Sequence, residues 1–233
     1  MIEKMEGITL RTIDYKDSSK IIYLITPYGK KNLILKGCKN YKNKNNKFKD
    51  IYQELSFYNT NKELGTFIDG DIINDFKNIK NDLDKYETMS NISNLVYKYL
   101  DDNLNYLKLY KLIKTSFYFI DNLKIDTNLK RNLNFTYLLF LLKFLYFIGY
   151  QPNFESCNIC KSKEIKGFSI KNASVACLNH LDETSLDKNQ TTKLIDFILL
   201  KFDDILNYKI KEEEINFYLD KIQIYYNYHV FNI

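Results

Sequence analysis

Residues 21–49 read IIYLITPYGKKNLILKGCKNYKNKNNKFK, and this stretch decides how the rest of the chain is understood. Two apolar runs, residues 21–26 and 31–36, flank the tetrapeptide PYGK. Pro27 presets φ for a turn corner, and Gly29 can take a positive φ. Both runs are rich in β-formers, so the stretch predicts a hairpin followed by a basic tail. From Lys30 to Lys49 there are eight lysines and no acidic residue. A hairpin with that charge is suited to gripping a phosphate backbone, and the plainer alternative is a solvated loop.

Around it, residues 1–75 read as strands. Ile8 and Leu10 alternate with Thr9 and Arg11, the period of a half-buried strand. Residues 53–58 and 65–73 supply two more extended runs, with a turn at residues 59–62. Five short strands in so short a length predict a small closed barrel, either of the oligonucleotide-binding (OB) type or SH3-like. The Asn/Lys-rich residues 38–49 form the one low-complexity patch and read as mobile.

Beyond residue 80 the period changes. Met89, Ile92, Leu95, Val96, Tyr99 and Leu100 share one helix face. Leu104, Leu107, Leu112 and Ile113 predict a second helix. Residues 129–148 are apolar nearly all round, as in a central bundle helix, and Gly149 with Pro152 ends them. Residues 186–206 predict a further helix opened by an Asp187/Gln190 capping box. Residues 215–226 predict the last helix, although Tyr225, Tyr226 and Tyr228 also suit a strand. The expected architecture is α+β: a five-stranded OB-like barrel over residues 1–79, then an all-α bundle over residues 80–233 with a knuckle inserted at about 153–182.

That knuckle pairs Cys157-Asn158-Ile159-Cys160 with Cys177-Leu178-Asn179-His180, with 16 residues between the pairs. An x2 spacing lets two ligands in one turn reach one ion, and this interval is a recognised zinc spacing. Cys157, Cys160, Cys177 and His180 would close a tetrahedral structural Zn²⁺ site with no position for water. Buried thiols beside a surface histidine are the alternative. Cys38 stands apart and reads as a small buried residue.

The chain has 233 residues, 45% hydrophobic and 27% charged, the profile of a globular protein with a sizeable core. Net charge is only +5. Its distribution says more: residues 1–49 hold twelve Lys/Arg against four acids. A basic end on a near-neutral body suggests an anionic partner. Glu3, Lys4, Glu6 and Arg11 interrupt any signal-peptide core, and the apolar run at 135–150 is too short to span a bilayer. A cytoplasmic location follows, and there cysteines serve metals or remain thiols. There is no P-loop and no G-x-G-x-x-G. A zinc deaminase would need H-x-E, which neither His180 nor His229 supplies. Asp101-Asp102 and Glu212-Glu213-Glu214 read as solvated helix ends. With two histidines in all, and one assigned to metal, the expectation is a protein that is not an enzyme.

The opening, MEGITLRTIDYKDSSKIIYLITPYGKKNLILKGCKN, resembles the RecO family of bacterial recombination mediators. Gly7, Leu10, Arg11, Tyr15, Asp17, Thr26, Gly29, Lys36 and Gly37 carry the likeness. Phe147-Ile148-Gly149-Tyr150-Gln151-Pro152, running into the C-x2-C pair, resembles that family's helix end and zinc module. Two departures stand out: Asn172-Ala173-Ser174 replaces a Gly-Gly, and His180 replaces a cysteine. The resemblance implies a nucleoid-associated DNA repair and recombination factor. Such a protein binds single- and double-stranded DNA, anneals strands, engages the tail of single-strand-binding protein, and works with RecR, in some cases RecF, to load RecA. The residues expected to hold DNA are Arg11, Lys30, Lys31, Lys36, Lys39, Lys42 and Lys44, with Tyr28 at the turn tip stacking a base. Tyr41 is a further stacking candidate, and Tyr23, mid-strand, suits core equally. A protein-interaction scaffold and an RNA-processing cofactor with an OB-like barrel are the competing readings.

Overall fold

A computed structural model describes residues 2–100 and 105–231. Asp101, Asp102 and Leu104 lie outside the described residues. The chain divides into two compact units, Met1–Asn122 and Leu123–Ile233.

The first unit is built on strands β1 (Ile2–Tyr15), β2 (Ser19–Thr26), β3 (Gly29–Leu35), β4 (Glu54–Thr60) and β5 (Leu64–Asn74). They close in the order β1-β2-β3-β5-β4, with β4 pairing back onto β1. That order, with a parallel β3–β5 seam, is the OB topology and settles the choice against an SH3-like barrel. Pairing of Thr26 with Gly29 leaves Pro27 and Tyr28 as the two-residue loop of the expected hairpin. Alternation sends Ile22, Leu24, Leu33, Leu35, Leu55, Phe57 and Phe67 into the barrel core.

Gly65 faces Leu33 across the seam, where there is no room for a side chain. A Cβ there would sit 2.6 Å from the Thr60 carbonyl oxygen and 2.8 Å from Leu33 Cδ2. Residues 38–49 are not a mobile tail, contrary to expectation. Cys38 and Phe48 are buried in the barrel core, and Lys44–Phe48 forms a 3-10 turn. The Asn45 amide donates to the Lys36 carbonyl at 2.9 Å, and Asn46 to the Cys38 carbonyl at 2.7 Å. Low complexity concealed two core residues and two side chains that replace missing backbone partners.

The same unit holds α1 (Lys77–Lys80), α2 (Leu83–Tyr99) and α3 (Tyr106–Asn122). Asp82 caps α2 by accepting from the Lys85 amide. The inward face of α3 is Tyr106, Leu109, Tyr110, Ile113, Phe117 and Ile120, whereas Leu107, expected inside, is exposed. The 3.6-residue period selects 106, 109, 110, 113, 117 and 120 once helix phase is set by packing. Helices α2 and α3 lie on β1 and β2, which explains why Ile21 and Ile25, on the outer side of β2, are buried. Glu54, wholly buried, accepts from Tyr118 Oη at 2.6 Å and from Lys114 Nζ and Tyr110 Oη of α3. A buried carboxylate survives because these donors replace its water shell. Burial and the neighbouring Glu54 carboxylate push the Tyr110 hydroxyl pKa well above its ordinary value.

In the second unit, α4 (Leu129–Phe147) is buried on almost every side, packed by α5 (Lys188–Leu199) and α6 (Glu212–His229). Gly149 takes φ +77 after its end, the left-handed cap that lets the helix stop. The Asp187/Gln190 capping box forms. The helix it opens ends at Leu199, and the Phe202–Leu206 stretch turns separately as 3-10. The expected continuous 186–206 helix is therefore two elements. Tyr225, Tyr226 and Tyr228 are helical. Tyr226 Oη donates to the Leu141 carbonyl at 2.9 Å and so ties α6 to α4. A small sheet ordered β7-β6-β8 comprises β6 (Gly167–Ser169), β7 (Ser174–Ala176) and β8 (Leu186–Asp187). No helix among the described residues is long and apolar enough to cross a membrane.

Gly65→Ala should lower the denaturant midpoint, by about 2 kcal/mol of stability, because backbone lines the space a methyl would need. Urea unfolding followed by far-UV circular dichroism measures it, and an unchanged midpoint would show that the seam has room for a side chain there.

Candidate nucleic-acid interface and metal knuckle

The strand period sorts the hairpin lysines. On β3, Leu33 and Leu35 point inward, so Lys30, Asn32 and Ile34 share the outer face and Lys36 continues it. Lys30 and Lys36 are exposed and reach no carboxylate among the described residues. Six residue steps along an extended chain separate them by roughly 20 Å. Lys31 faces the barrel end instead, where its Nζ meets Glu3 Oε1 at 2.6 Å and Asn61 Oδ1 at 3.3 Å. It is mainly a structural cation.

Lys39 pairs with Asp14 at 3.0 Å, and Lys44 with Asp69 of β5 at 3.1 Å. The run that is free of acids in sequence thus meets acids in space. Asp14 and Asp69 are largely exposed, and such pairs contribute about 0–1 kcal/mol, so a phosphate can displace them. The Lys44 ammonium, with the Gly70 amide, holds the Asp69 carboxyl below the usual carboxylate range. Lys42 lies over the Tyr41 ring at 5.6 Å. Tyr28 at the hairpin tip is 81% exposed and Tyr41 79%, so both rings are open to stacking.

Register does the rest. Arg11 stands opposite Tyr23, and Tyr23 opposite Asn32, in one row across β1, β2 and β3. Tyr97 of α2 lies over that row, edge-on to Tyr23 at 5.4 Å, with the Arg11 guanidinium 5.2 Å from its ring centre. Tyr23 is thus half-buried on the outer face rather than in the core. Asn32 and Tyr97 were not among the candidate residues. Alternation around Leu33 would have suggested Asn32, but nothing local points to Tyr97, which arrives from a separate helix.

The knuckle forms as the spacing implies. The ligand atoms of Cys157, Cys160, Cys177 and His180 all lie within 4.8 Å of one another. Cys160 and Cys177 sulfurs are 3.6 Å apart, and His180 Nδ1 is 3.2 Å from Cys177 Sγ. A tetrahedron with ~2.3 Å metal–sulfur bonds has edges of about 3.7 Å, so the donor set fits a metal ion. Lys161 at φ +60 turns the chain after the first pair, closed by its amide donating to the Cys157 carbonyl at 2.8 Å. Asn158 ties this turn to the β6–β7 hairpin through the Ser174 hydroxyl at 3.1 Å and the Asn172 carbonyl at 2.9 Å. Ala173, where the resembled family carries glycine, takes φ +50 in that hairpin. Burial alone would raise the Cys157 thiol, but the amides of Cys160, Ile159 and Cys177 outweigh it and lower its pKa to about 6. A thiolate is the form that binds metal. Cys38 is buried in the barrel, apart from these ligands.

A closed OB barrel with exposed cations on its outer face, and a helical unit bearing a Cys3His cluster, define a two-part class of α+β protein. The recombination protein O N-terminal profile matches residues 1–76 and the C-terminal profile residues 80–232. The chain belongs to the recombination protein O (RecO) family. It is similar to the DNA repair protein RecO of Mycoplasma mycoides, 33% identical over 89% of this chain and 83% of that one. It is also similar to those of Mycoplasma capricolum, 29% over 97% and 92%, and Halalkalibacterium halodurans, 29% over 76% and 68%.

Cobalt(II) added to metal-stripped protein should give the strong visible absorption of a tetrahedral thiolate site, at one ion per chain. Cys177→Ser should shift and weaken those bands; a spectrum indifferent to that change would exclude the cluster as the ligand set.

Proposed function

We propose that the chain is a non-enzymatic recombination mediator that binds single- and double-stranded DNA through the outer face of its barrel. The observation that carries this reading is the outward set Arg11, Lys30, Lys36 and Lys42, none of which meets a carboxylate among the described residues. Lys39 and Lys44 join by exchanging exposed aspartates for phosphate, and Tyr28 supplies a stacking platform. Lys31, held by Glu3, contributes least. Family membership supports the wider role: annealing complementary strands, engaging the tail of single-strand-binding protein, and acting with RecR, and in some settings RecF, to load RecA in the nucleoid region of the cytoplasm.

The metal is proposed to be Zn²⁺. Three thiolates and an imidazole at tetrahedral spacing suit it, and four protein ligands leave no open position, so its role is structural. It would pin together two turns that are far apart in the chain.

If these cations release counterions, log K against log[salt] for purified protein should be steep, about 0.9 per contact on duplex and 0.7 on single strands. Lys30→Ala and Lys36→Ala should each reduce the slope by roughly one contact, and Lys31→Ala should change stability more than slope. A flat salt response rejects the reading. Tighter binding to RNA oligonucleotides would favour an RNA cofactor, and intact partner binding with no DNA affinity would favour a scaffold.

Cys157→Ser should lower both the melting temperature and the protein yield, since metal binding and folding are coupled in such modules. Normal stability together with no zinc by elemental analysis would end the structural-zinc proposal.

A further inference from the structure

The row that crosses β1, β2 and β3 does more than present charge. Arg11, Tyr23 and Asn32 stand side by side on the outer face, with Lys30 two residues from Asn32 on that same face. Tyr97 closes over them from α2. Between ring and sheet lies a cleft of about 180 Å³, lined by Leu10, Tyr23, Lys30, Asn32, Tyr97 and Leu100. The Asn32 side-chain amide has no hydrogen-bond partner among the described residues, and Lys30 has no carboxylate.

We infer that this cleft receives one unpaired nucleobase of a DNA strand, with Lys30 and Arg11 meeting the phosphates on either side. The inference rests on the DNA-binding reading above and deepens it. Tyr23 and Tyr97 offer aromatic surface for a base, and Leu10 and Leu100 offer apolar contact. The Asn32 amide carries donor and acceptor in one plane, the arrangement that reads a base edge. An apolar peptide side chain would use the rings and leave the Asn32 amide and the Lys30 ammonium unanswered, so charge complementarity favours the nucleotide. A base within a duplex is stacked on both faces and paired at its edge. Entering the cleft would require flipping it out, which costs a few kcal/mol. The cleft therefore selects unpaired strands, ends and mismatches over intact duplex, a discrimination the lysines alone cannot make.

The test compares a short DNA oligonucleotide with an abasic deoxyribose-phosphate strand of equal length and charge, by fluorescence anisotropy on the full chain across a salt series. The wild-type protein should prefer the strand that carries bases about tenfold, with equal salt slopes for the two strands. Tyr97→Leu should reduce that preference to about twofold or less, so that affinity falls further for the strand that carries bases than for the abasic strand or for duplex. Tyr28→Ala, at the hairpin tip, should leave the Tyr97-dependent part of the preference intact. Asn32→Leu, which keeps side-chain volume, should alter the ranking among the four homopolymers. A steep salt slope with no preference for bases overturns the cleft and spares the DNA-binding reading. An unchanged preference in Tyr97→Leu also overturns it and leaves the cleft to a peptide side chain. A flat salt slope removes both.

Discussion

Closure of the barrel is the constraint on which the first unit depends. Once β3 pairs with β5 and β4 with β1, each strand has one face committed to an interior filled by Ile22, Leu24, Leu33, Leu35, Leu55, Phe57 and Phe67. Every other residue is then directed outward, and the chemistry of the surface follows from strand parity. At that seam Gly65 leaves room for the Leu33 side chain and, on its other side, for the Thr60 carbonyl. Cys38 and Phe48 complete the same interior from the segment after β3. The lysines on that segment, 42, 44, 47 and 49, are consequently displayed from an ordered scaffold and not from a random tail.

Parity also explains why adjacent lysines differ. Lys30 and Lys31 are neighbours in sequence, yet one is free on the outer face and the other is tied to Glu3 at the barrel end. Carboxylates temper the remaining charge: Asp14 takes Lys39 and Asp69 takes Lys44. Exposed pairs of this kind hold side chains in place at low cost and yield to a stronger polyanion. Among the described residues, Arg11, Lys30, Lys36 and Lys42 are left outside any ion pair, and the Tyr28 and Tyr41 rings stand exposed on the same unit.

Stability in the second unit has a different source. There α4 is apolar nearly all round and is enclosed by α5 and α6, so its core is made by helix packing. The knuckle lies beside a three-stranded sheet whose Phe168, Val175 and Leu186 are buried. Asn158 and Ser174 join the two ligand pairs by hydrogen bonds, and the thiolate-favouring amides around Cys157 prepare the cluster for a cation. Such a cluster links turns far apart in sequence, which is where a metal contributes most to folding.

Local chemistry made much of this legible from the residues alone. The hairpin, the barrel class, the helical second half, the cap at Gly149, the capping box at Asp187 and the four ligands of the knuckle are all written in short-range spacing, because strand period, cap geometry and ligand reach act over a few residues. The resemblance carried by Gly7, Leu10, Arg11 and Gly29 pointed to the family. Other features depend on residues distant in the chain. The phase of α3 put Leu107 outside and Tyr110 inside only once the helix met the barrel. The order of residues 38–49 required a core for Phe48 to enter. The acids opposite Lys31, Lys39 and Lys44 lie on other strands, and Tyr97 reaches the Arg11–Tyr23–Asn32 row from a helix whose sequence shows nothing but amphipathic spacing. Sequence by itself determined which elements form and which residues have the chemistry to bind; tertiary structure decided which of them are free to do so, because charge pairing and cleft formation are set by strand register and helix docking rather than by neighbours along the chain.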